Sequence, residues 1–373
     1  MRSAGVRERS TRLSVWPPLP PSVYLARRRR TLPYPLGESG CRLYQLGRHA
    51  LWHGVRAAGL EPGEEILVPA YHHGSEVEAL ARAGLACRFY AGTPALAPDE
   101  DELDALVGER TRALLLVHYL GFPQDAPAWR RWCDRRGLLL VEDAAQAWLA
   151  STPEGPVGSS GDLAIFCLYK SFGLPDGAAL VENAAADAAG RRELGLGLLA
   201  RRHLAWLRSR LPLEAPSEAG TAAQPATPDE DFALGDPSLA PARASMLALV
   251  RVGDEGAAAI RRANYRLLLE RLAPLVPAPF RELPEGASPF VFPVATPSKP
   301  ALLGRLRAAG IRAFDFWSVP HPSLPAGDFA AAEALRRTVV GLPVHQELRR
   351  ADLDRIAAAA LAALPGEAGA ELA

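Results

Sequence analysis

Lysine is almost absent from this chain: of its 42 basic residues only Lys170 and Lys299 are lysines. Arginine replaces lysine well on a wetted surface, but its guanidinium neither forms a Schiff base nor readily gives up a proton. A lysine that survives such a bias is therefore a candidate for nitrogen chemistry. Lys299 lies in Thr296-Pro297-Ser298-Lys299-Pro300 and reads as an exposed turn. Lys170 instead follows the apolar run Ile165-Phe166-Cys167-Leu168. Its plainer reading is an ordinary surface lysine.

Cysteine is scarce too. Cys41, Cys87, Cys133 and Cys167 are scattered, with no C-x-x-C pair. They fit neither a zinc site nor a disulfide framework, and a reducing cytoplasm is the expected location. No apolar stretch approaches the roughly 20 residues that a membrane span needs. The arginines near residue 1 have no apolar segment behind them, so a secretory signal is not expected. Neither charge sign is in excess, with 42 acidic and 42 basic residues. That balance gives no broad attraction to nucleic acid or to an anionic membrane. The one local excess, the arginine run 27–30, reads as part of a solvated arm.

What is present is apolar content, 49% of 373 residues, enough for two lobes around a shared cleft. Residues 1–36 are rich in Pro and Arg and are expected to pack as an arm on a neighbouring surface or to be partly disordered. Helical spacing of Leu51, Val55 and Ala58 predicts a helix over Ala50–Leu60, stopped by Gly59 and Pro62. Strands are predicted at Ile66–Pro69, Cys87–Tyr90, Leu114–Tyr119, Leu138–Glu142, Leu163–Leu168 and Ala178–Glu182. Helices are predicted between them at Ser75–Ala83 and Ala126–Arg136. Short apolar strands alternating with helices imply an α/β, mainly parallel sheet with helices on both faces. Residues 184–235 show little strand pattern, and Glu214–Asp231 reads as a long loop. Helical spacing returns over Ala242–Leu272, followed by a strand at Phe290–Val294 and helices at Pro300–Ala309 and Ala351–Leu364. The expected division is an arm (1–36), a large domain (37–240) and a small α+β domain (241–373).

In such a sheet, ligands sit beyond the carboxyl ends of the strands. His72, His73, His118, Asp143, Gln146 and Lys170 all follow predicted strands, and Arg48 precedes the first helix. Taken singly, Asp143 could be a helix N-cap, Gln146 a polar turn residue, and the paired histidines a polar surface loop. Adjacent histidines lack metal-ligand spacing and no cysteine or carboxylate cluster joins them, so no metal is expected.

Several segments, in order, carry a resemblance: Gly47-Arg48-His49-Ala50-Leu51, Ile66-Leu67-Val68-Pro69-Ala70-Tyr71, Val117-His118-Tyr119-Leu120-Gly121, Glu142-Asp143-Ala144-Ala145-Gln146-Ala147, and Gly161-Asp162 leading to Lys170. Over residues 45–183 the chain resembles the DegT/DnrJ/StrS aminotransferases. These are fold-type-I enzymes of pyridoxal 5'-phosphate (PLP), known for aminating keto sugars on nucleotides. The resemblance implies a fold-type-I PLP transferase, with the large sheet domain and a smaller C-terminal domain. It implies Lys170 as the Schiff-base lysine and proton shuttle, and Asp143 as the partner of the ring nitrogen; these two are the expected catalytic residues. It places Gln146 on the ring's phenolic oxygen, and His73 against the ring face with His72 as the alternative. It puts Gly47, Arg48, His49 and Cys167 around the phosphate.

Relatives carry a small hydroxyl residue where Arg48 stands and a serine near Cys167, so Arg48 is the expected anchor here. The Asn-Tyr-Arg segment that relatives lend across a dimer is not evident near Ser238–Arg243. The resemblance further implies a homodimer and small-molecule partners, an amino donor such as glutamate and a keto acceptor. Two rival readings stay open. One is a PLP-dependent sugar dehydratase, in which the lysine is replaced; the other is a non-catalytic relative that binds PLP or a sugar nucleotide.

Overall fold

The computed structural model describes residues 11–182, 191–192, 194–210, 232–252 and 256–362. Its central sheet is built from β1 (Cys41–Tyr44), β2 (Glu65–Pro69), β3 (Ala86–Tyr90), β4 (Thr111–Val117), β5 (Leu139–Asp143), β6 (Leu163–Cys167) and β7 (Ala178–Glu182). Across the sheet the order is β1-β7-β6-β5-β4-β2-β3. Strands β2 to β6 are all parallel, and β7 runs antiparallel to β6 and β1. The α/β, mainly parallel architecture expected from the sequence is the one observed.

Side chains alternate across a strand, so a strand covered on both faces must be apolar at successive positions. That is what β4 shows: Ala113, Leu115 and Val117 enter the largest apolar cluster, while Leu114 and Leu116 enter another. Helices α1 (Gly47–Ala57) and α2 (Ser75–Arg82) cover the first face. Helices α3 (Glu100–Leu106) and α4 (Ala126–Arg136) cover the second. Toward β6 and β7 the second face passes to a third cluster around Phe166, Ala179 and Trp148.

Helix α3 escaped the sequence reading because Leu103 is its only buried residue; its signal was polar, Asp99 capping the Glu102 N–H at 3.0 Å. After β6 comes the single turn α5 (Leu168–Ser171). Further on, α6 (Leu196–Arg210) lies in the stretch that showed little strand pattern, while the loop expected over Glu214–Asp231 lies outside the described residues. Helices α7 (Arg243–Val252) and α8 (Gly256–Leu272) precede a second sheet formed wholly by residues beyond 240. It pairs β8 (Val291–Ala295), β9 (Phe314–Asp315) and β10 (Val339–Pro343), with β10 in the centre and both neighbours antiparallel to it. Helices α9 (Lys299–Ala308), α10 (Ala330–Thr338) and α11 (Arg350–Leu361) accompany this sheet.

The described part of the N-terminal arm packs on its own chain. Leu13 and Ser14 pair in parallel with Ile311 and Arg312, and Leu13, Val15, Leu19 and Val23 are buried. The arginine run 27–30 is exposed, as expected. No described helix is long and apolar enough to cross a membrane.

Lys299 differs from its expectation. It is 3% exposed, and its ammonium donates to the carbonyls of Arg336 (2.7 Å) and Phe316 (3.2 Å) while pairing with Asp315 (2.7 Å). The prolines around it do not mark a turn: Pro300 stands in the first turn of α9, where its missing N–H costs nothing.

Candidate active site

The carboxyl ends of β4, β5 and β6 open into a cavity of about 260 Å³. Asp143, the last residue of β5, forms part of it, with Ala145 and Gln146 from the turn that follows. Gly47 and Arg48 open α1 beside them, His73 comes from the turn before α2, and Cys167, Tyr169 and Lys170 come from the end of β6 and α5. Of the expected residues, the structure therefore brings together Gly47, Arg48, His73, Asp143, Gln146, Cys167 and Lys170.

Asp143 is only 8% exposed. Burial, and then the negative charge of Glu76, push its carboxyl up to about 6; the Ala145 N–H, donating to Oδ1 at 2.8 Å, and the charge of Lys170 oppose that rise. Gln146 accepts the Leu120 N–H on Oε1 at 2.8 Å, which leaves its Nε2 donor for a ligand. Lys170 is half-buried, with Nζ 5.8 Å from the Phe290 ring centre. Arg261, a buried arginine on α8, fixes the end of that turn by donating to Ser171 O (2.7 Å), Pro289 O (3.0 Å) and Gln346 Oε1 (2.9 Å).

Gly47 has a structural reason to be glycine. A Cβ there would stand 2.7 Å from Cys167 Sγ. The Gly47 N–H and the Tyr169 hydroxyl both address that sulfur. Burial pushes the Cys167 thiol up, so it remains protonated at neutral pH. Arg48 sits at the mouth and donates from NH1 to Ala233 O at 2.5 Å.

Two expected residues are not brought to the cavity. His49 is buried with Nε2 2.8 Å from Leu234 O, so α1 turns its ring away from the site. His72 is fully buried, with Nδ1 2.9 Å from Pro69 O and its ring stacked on Phe89; burial pushes it down to about 4. Of the paired histidines, His73 is the one at the cavity. His118 also borders it, but both nitrogens are committed: Nδ1 accepts the Gln124 N–H (3.0 Å) and Nε2 meets Glu142 (2.9 Å). Glu142 in turn accepts N–H groups of Gly158, Ser160 and Gly161. This buried network braces the β4 and β5 ends rather than offering a ligand group.

Sequence reasoning missed Trp16, Glu76, Tyr169, Phe314 and Trp317, which also line the cavity. Glu76 accepts from His73 N (2.8 Å), Gly74 N (3.2 Å) and Ser75 Oγ (3.4 Å), and so pins the His73 turn. Trp317 has φ of 51°, a region that costs a bulky residue energy. It is held there by Arg336, which bridges Trp317 O (2.8 Å) and Ala70 O (3.0 Å). The unusual backbone at Trp317 belongs to the wall of the site. Among the described residues no three His, Cys, Asp or Glu side chains converge as a metal site would require.

Residues 44–194 match the sequence pattern of the DegT/DnrJ/EryC1/StrS aminotransferase family. That match takes in less than half of the chain. Among curated relatives, it is 38% identical over 146 residues to dTDP-3-amino-3,4,6-trideoxy-alpha-D-glucose transaminase of Streptomyces venezuelae, covering 36% of this chain and 37% of the relative. It is 33% identical over 135 residues to UDP-N-acetyl-3-dehydro-alpha-D-glucosamine 3-aminotransferase of Acidithiobacillus ferrooxidans, covering 34% and 35%. The matched part thus spans little more than a third of these relatives' length. The fold extends further. The crystal structure of S. venezuelae DesV in complex with a ketimine intermediate aligns with a TM-score of 0.63 at 25% identity, over 87% of this chain and 85% of that one. A DegT/DnrJ/EryC1/StrS aminotransferase from Brucella abortus aligns with the same score over 89% and 91% at 21% identity.

Proposed function

We propose that this protein is a PLP-dependent aminotransferase that moves an amino group from a donor such as glutamate to the keto group of a sugar, carried on a nucleotide as in the relatives named above. The observation that carries the proposal is the convergence of Lys170, Asp143, Gln146 and His73 on one cavity at the carboxyl ends of parallel strands.

The donor set suits PLP. Bound there, PLP supplies an electron sink for the bonds at the substrate's amine-bearing carbon. Asp143 would face the ring nitrogen and hold its proton; a cationic ring nitrogen beside it would in turn keep the carboxyl ionised, against the burial that raises it alone. Gln146 would direct Nε2 at the phenolic oxygen, and His73, its turn pinned by Glu76, would lie against the ring. Arg48 and the first turn of α1 would hold the phosphate, where a helix N-terminus and a guanidinium both favour an anion. Lys170 would anchor the cofactor covalently, and its amine would hold and move a proton at the substrate's reacting carbon. Arg261 would hold the α5 turn, and with it Lys170, in place. The enzyme would act as a homodimer, as the resemblance implies, and in a reducing cytoplasm, consistent with its four free thiols.

The presence of Lys170 at the cavity disfavours a dehydratase that lacks this lysine. Mixing the PLP-loaded protein with glutamate separates catalyst from mere binder. Loss of the yellow absorbance, with a rise near that of pyridoxamine phosphate and release of 2-oxoglutarate, is expected; an unchanged spectrum would leave only binding.

A further inference from the structure

Residues 233–237 run beside the start of α1 with no helix or strand of their own. Such a segment must find donors for its carbonyls elsewhere, and α1 supplies them. Arg48 donates to Ala233 O at 2.5 Å, His49 Nε2 to Leu234 O at 2.8 Å and His53 Nε2 to Pro237 O at 3.0 Å. Just before the helix, the Gln45 N–H donates to Leu239 O at 2.9 Å. Burial holds both histidines below their ordinary value, so each is uncharged at neutral pH. A carbonyl can only accept, so each carries its proton on Nε2.

What this tether holds in place is Phe232. Its side chain is buried, yet it does not line the cavity. The ring lies edge-on to His73, with centres 5.8 Å apart and planes at 80°. It also meets His321, from the loop between β9 and α10, at 5.4 Å. His321 is itself fixed by Glu78 of α2 (3.3 Å) and Ser323 (2.8 Å). The turn after His73 is shaped to admit the ring: Gly74 has φ of 119°, and a Cβ there would stand 2.6 Å from Phe232 Cε1. Glu76 pins the backbone of that turn, but the imidazole needs its own support. The Ser75 N–H reaches His73 Nδ1 only at 3.4 Å, the long end of the hydrogen-bond range. Two edge-on rings, Phe232 and Trp317, set the plane of the imidazole.

We propose that Phe232 is a positioning residue of the cofactor site, one that fixes the angle at which the His73 imidazole meets the PLP ring. This rests on the reading of the cavity as a PLP site. Phe232 acts only through His73, and Arg48, His49 and His53 keep it there. The first turn of α1 thus serves both ends of the site: it faces the phosphate and fastens the segment that steadies the ring face. His49, turned away from the cavity, contributes at one remove.

The test is titration of PLP into the full-length protein, read by fluorescence, with visible circular dichroism of the bound cofactor. Phe232→Ala should weaken PLP binding about three- to tenfold, the scale of one lost edge-to-face ring contact. It should also change the dichroism at saturating PLP, where affinity no longer matters. Phe232→Tyr keeps the ring and should restore both readings. In a His73→Ala background, Phe232→Ala should cost no further affinity. If the alanine variant does not fold, Phe232→Leu, which keeps the bulk without a flat ring, is measured in its place with the same expectations. Equal losses with and without His73 would make Phe232 merely structural and overturn the proposal, as would unchanged affinity and dichroism. A wild type that binds no PLP would sink the cofactor reading and this proposal together. Loss coupled to His73 in a protein that transfers no amino group would uphold the positioning role and sink the amino-transfer reading alone.

Discussion

Replacing Asp143 by Asn should make the cofactor-free protein more stable at neutral pH while disabling its chemistry. The carboxyl is raised from 3.8 to about 6, first by burial and then by Glu76. The folded state thus binds the proton more tightly than the unfolded chain. Its favourable contribution is complete below about pH 3.8 and is lost progressively as pH rises through about 6. Above that, the ionised carboxylate costs the cofactor-free fold about 3 kcal/mol, from roughly two pK units at 1.36 kcal/mol each. Asn keeps an oxygen for the Ala145 N–H and carries no charge. Urea unfolding of both cofactor-free proteins at pH 7.5 and at pH 4 is the assay. The variant should gain stability at pH 7.5, and most of the gain should vanish at pH 4. A gain of equal size at both pH values, or none at pH 7.5, would refute the reasoning. With PLP restored, the variant should still bind it yet lose amino transfer by orders of magnitude, because the ring nitrogen loses its anionic partner.

Other outcomes follow from the same geometry. Arg48→Ala should weaken PLP affinity by about 1.5–3 kcal/mol while sparing turnover at saturating PLP; fluorescence titration checks it. Gly47→Ala should destabilise the fold by about 1–3 kcal/mol through the clash with Cys167 Sγ, and Cys167→Ala in the same protein should recover part of the loss in urea melts. Sedimentation at micromolar concentration should give a homodimer, and an active monomer would defeat that expectation.

Lys170, Asp143 and Gln146 were legible as strand-end residues because each follows an apolar run that reads as a strand, with ligands expected beyond the strand ends of such a sheet; their roles came from the resemblance alone. The parallel sheet itself was legible for the same reason, through Leu114–Val117 and its neighbours. The rest of the wall was not. Trp16, Phe314 and Trp317 reach the cavity from segments remote in sequence, and nothing in a local pattern says where an arm or a small sheet will dock. Glu76 looked like one polar residue on an amphipathic helix; only tertiary packing turns it toward Asp143. The resemblance placed His73 at the ring with His72 as the alternative, and the Pro69 carbonyl and the Phe89 ring hold His72 away from the cavity. Lys299 was misread because proline marks helix starts as well as turns. Strand β10 hid behind Gly341 and Pro343, which local rules count against a strand.

The central claim is that Lys170 is the residue that binds PLP covalently. The direct measurement is borohydride reduction of the PLP-loaded protein, followed by proteolysis and mass mapping of the phosphopyridoxyl label. The chain offers only two lysine side chains, so the result is a choice. Label on the peptide containing Lys170, and its absence from Lys170→Ala, is the predicted result. Label on Lys299, or none on either lysine in a protein that has bound PLP, would contradict the account.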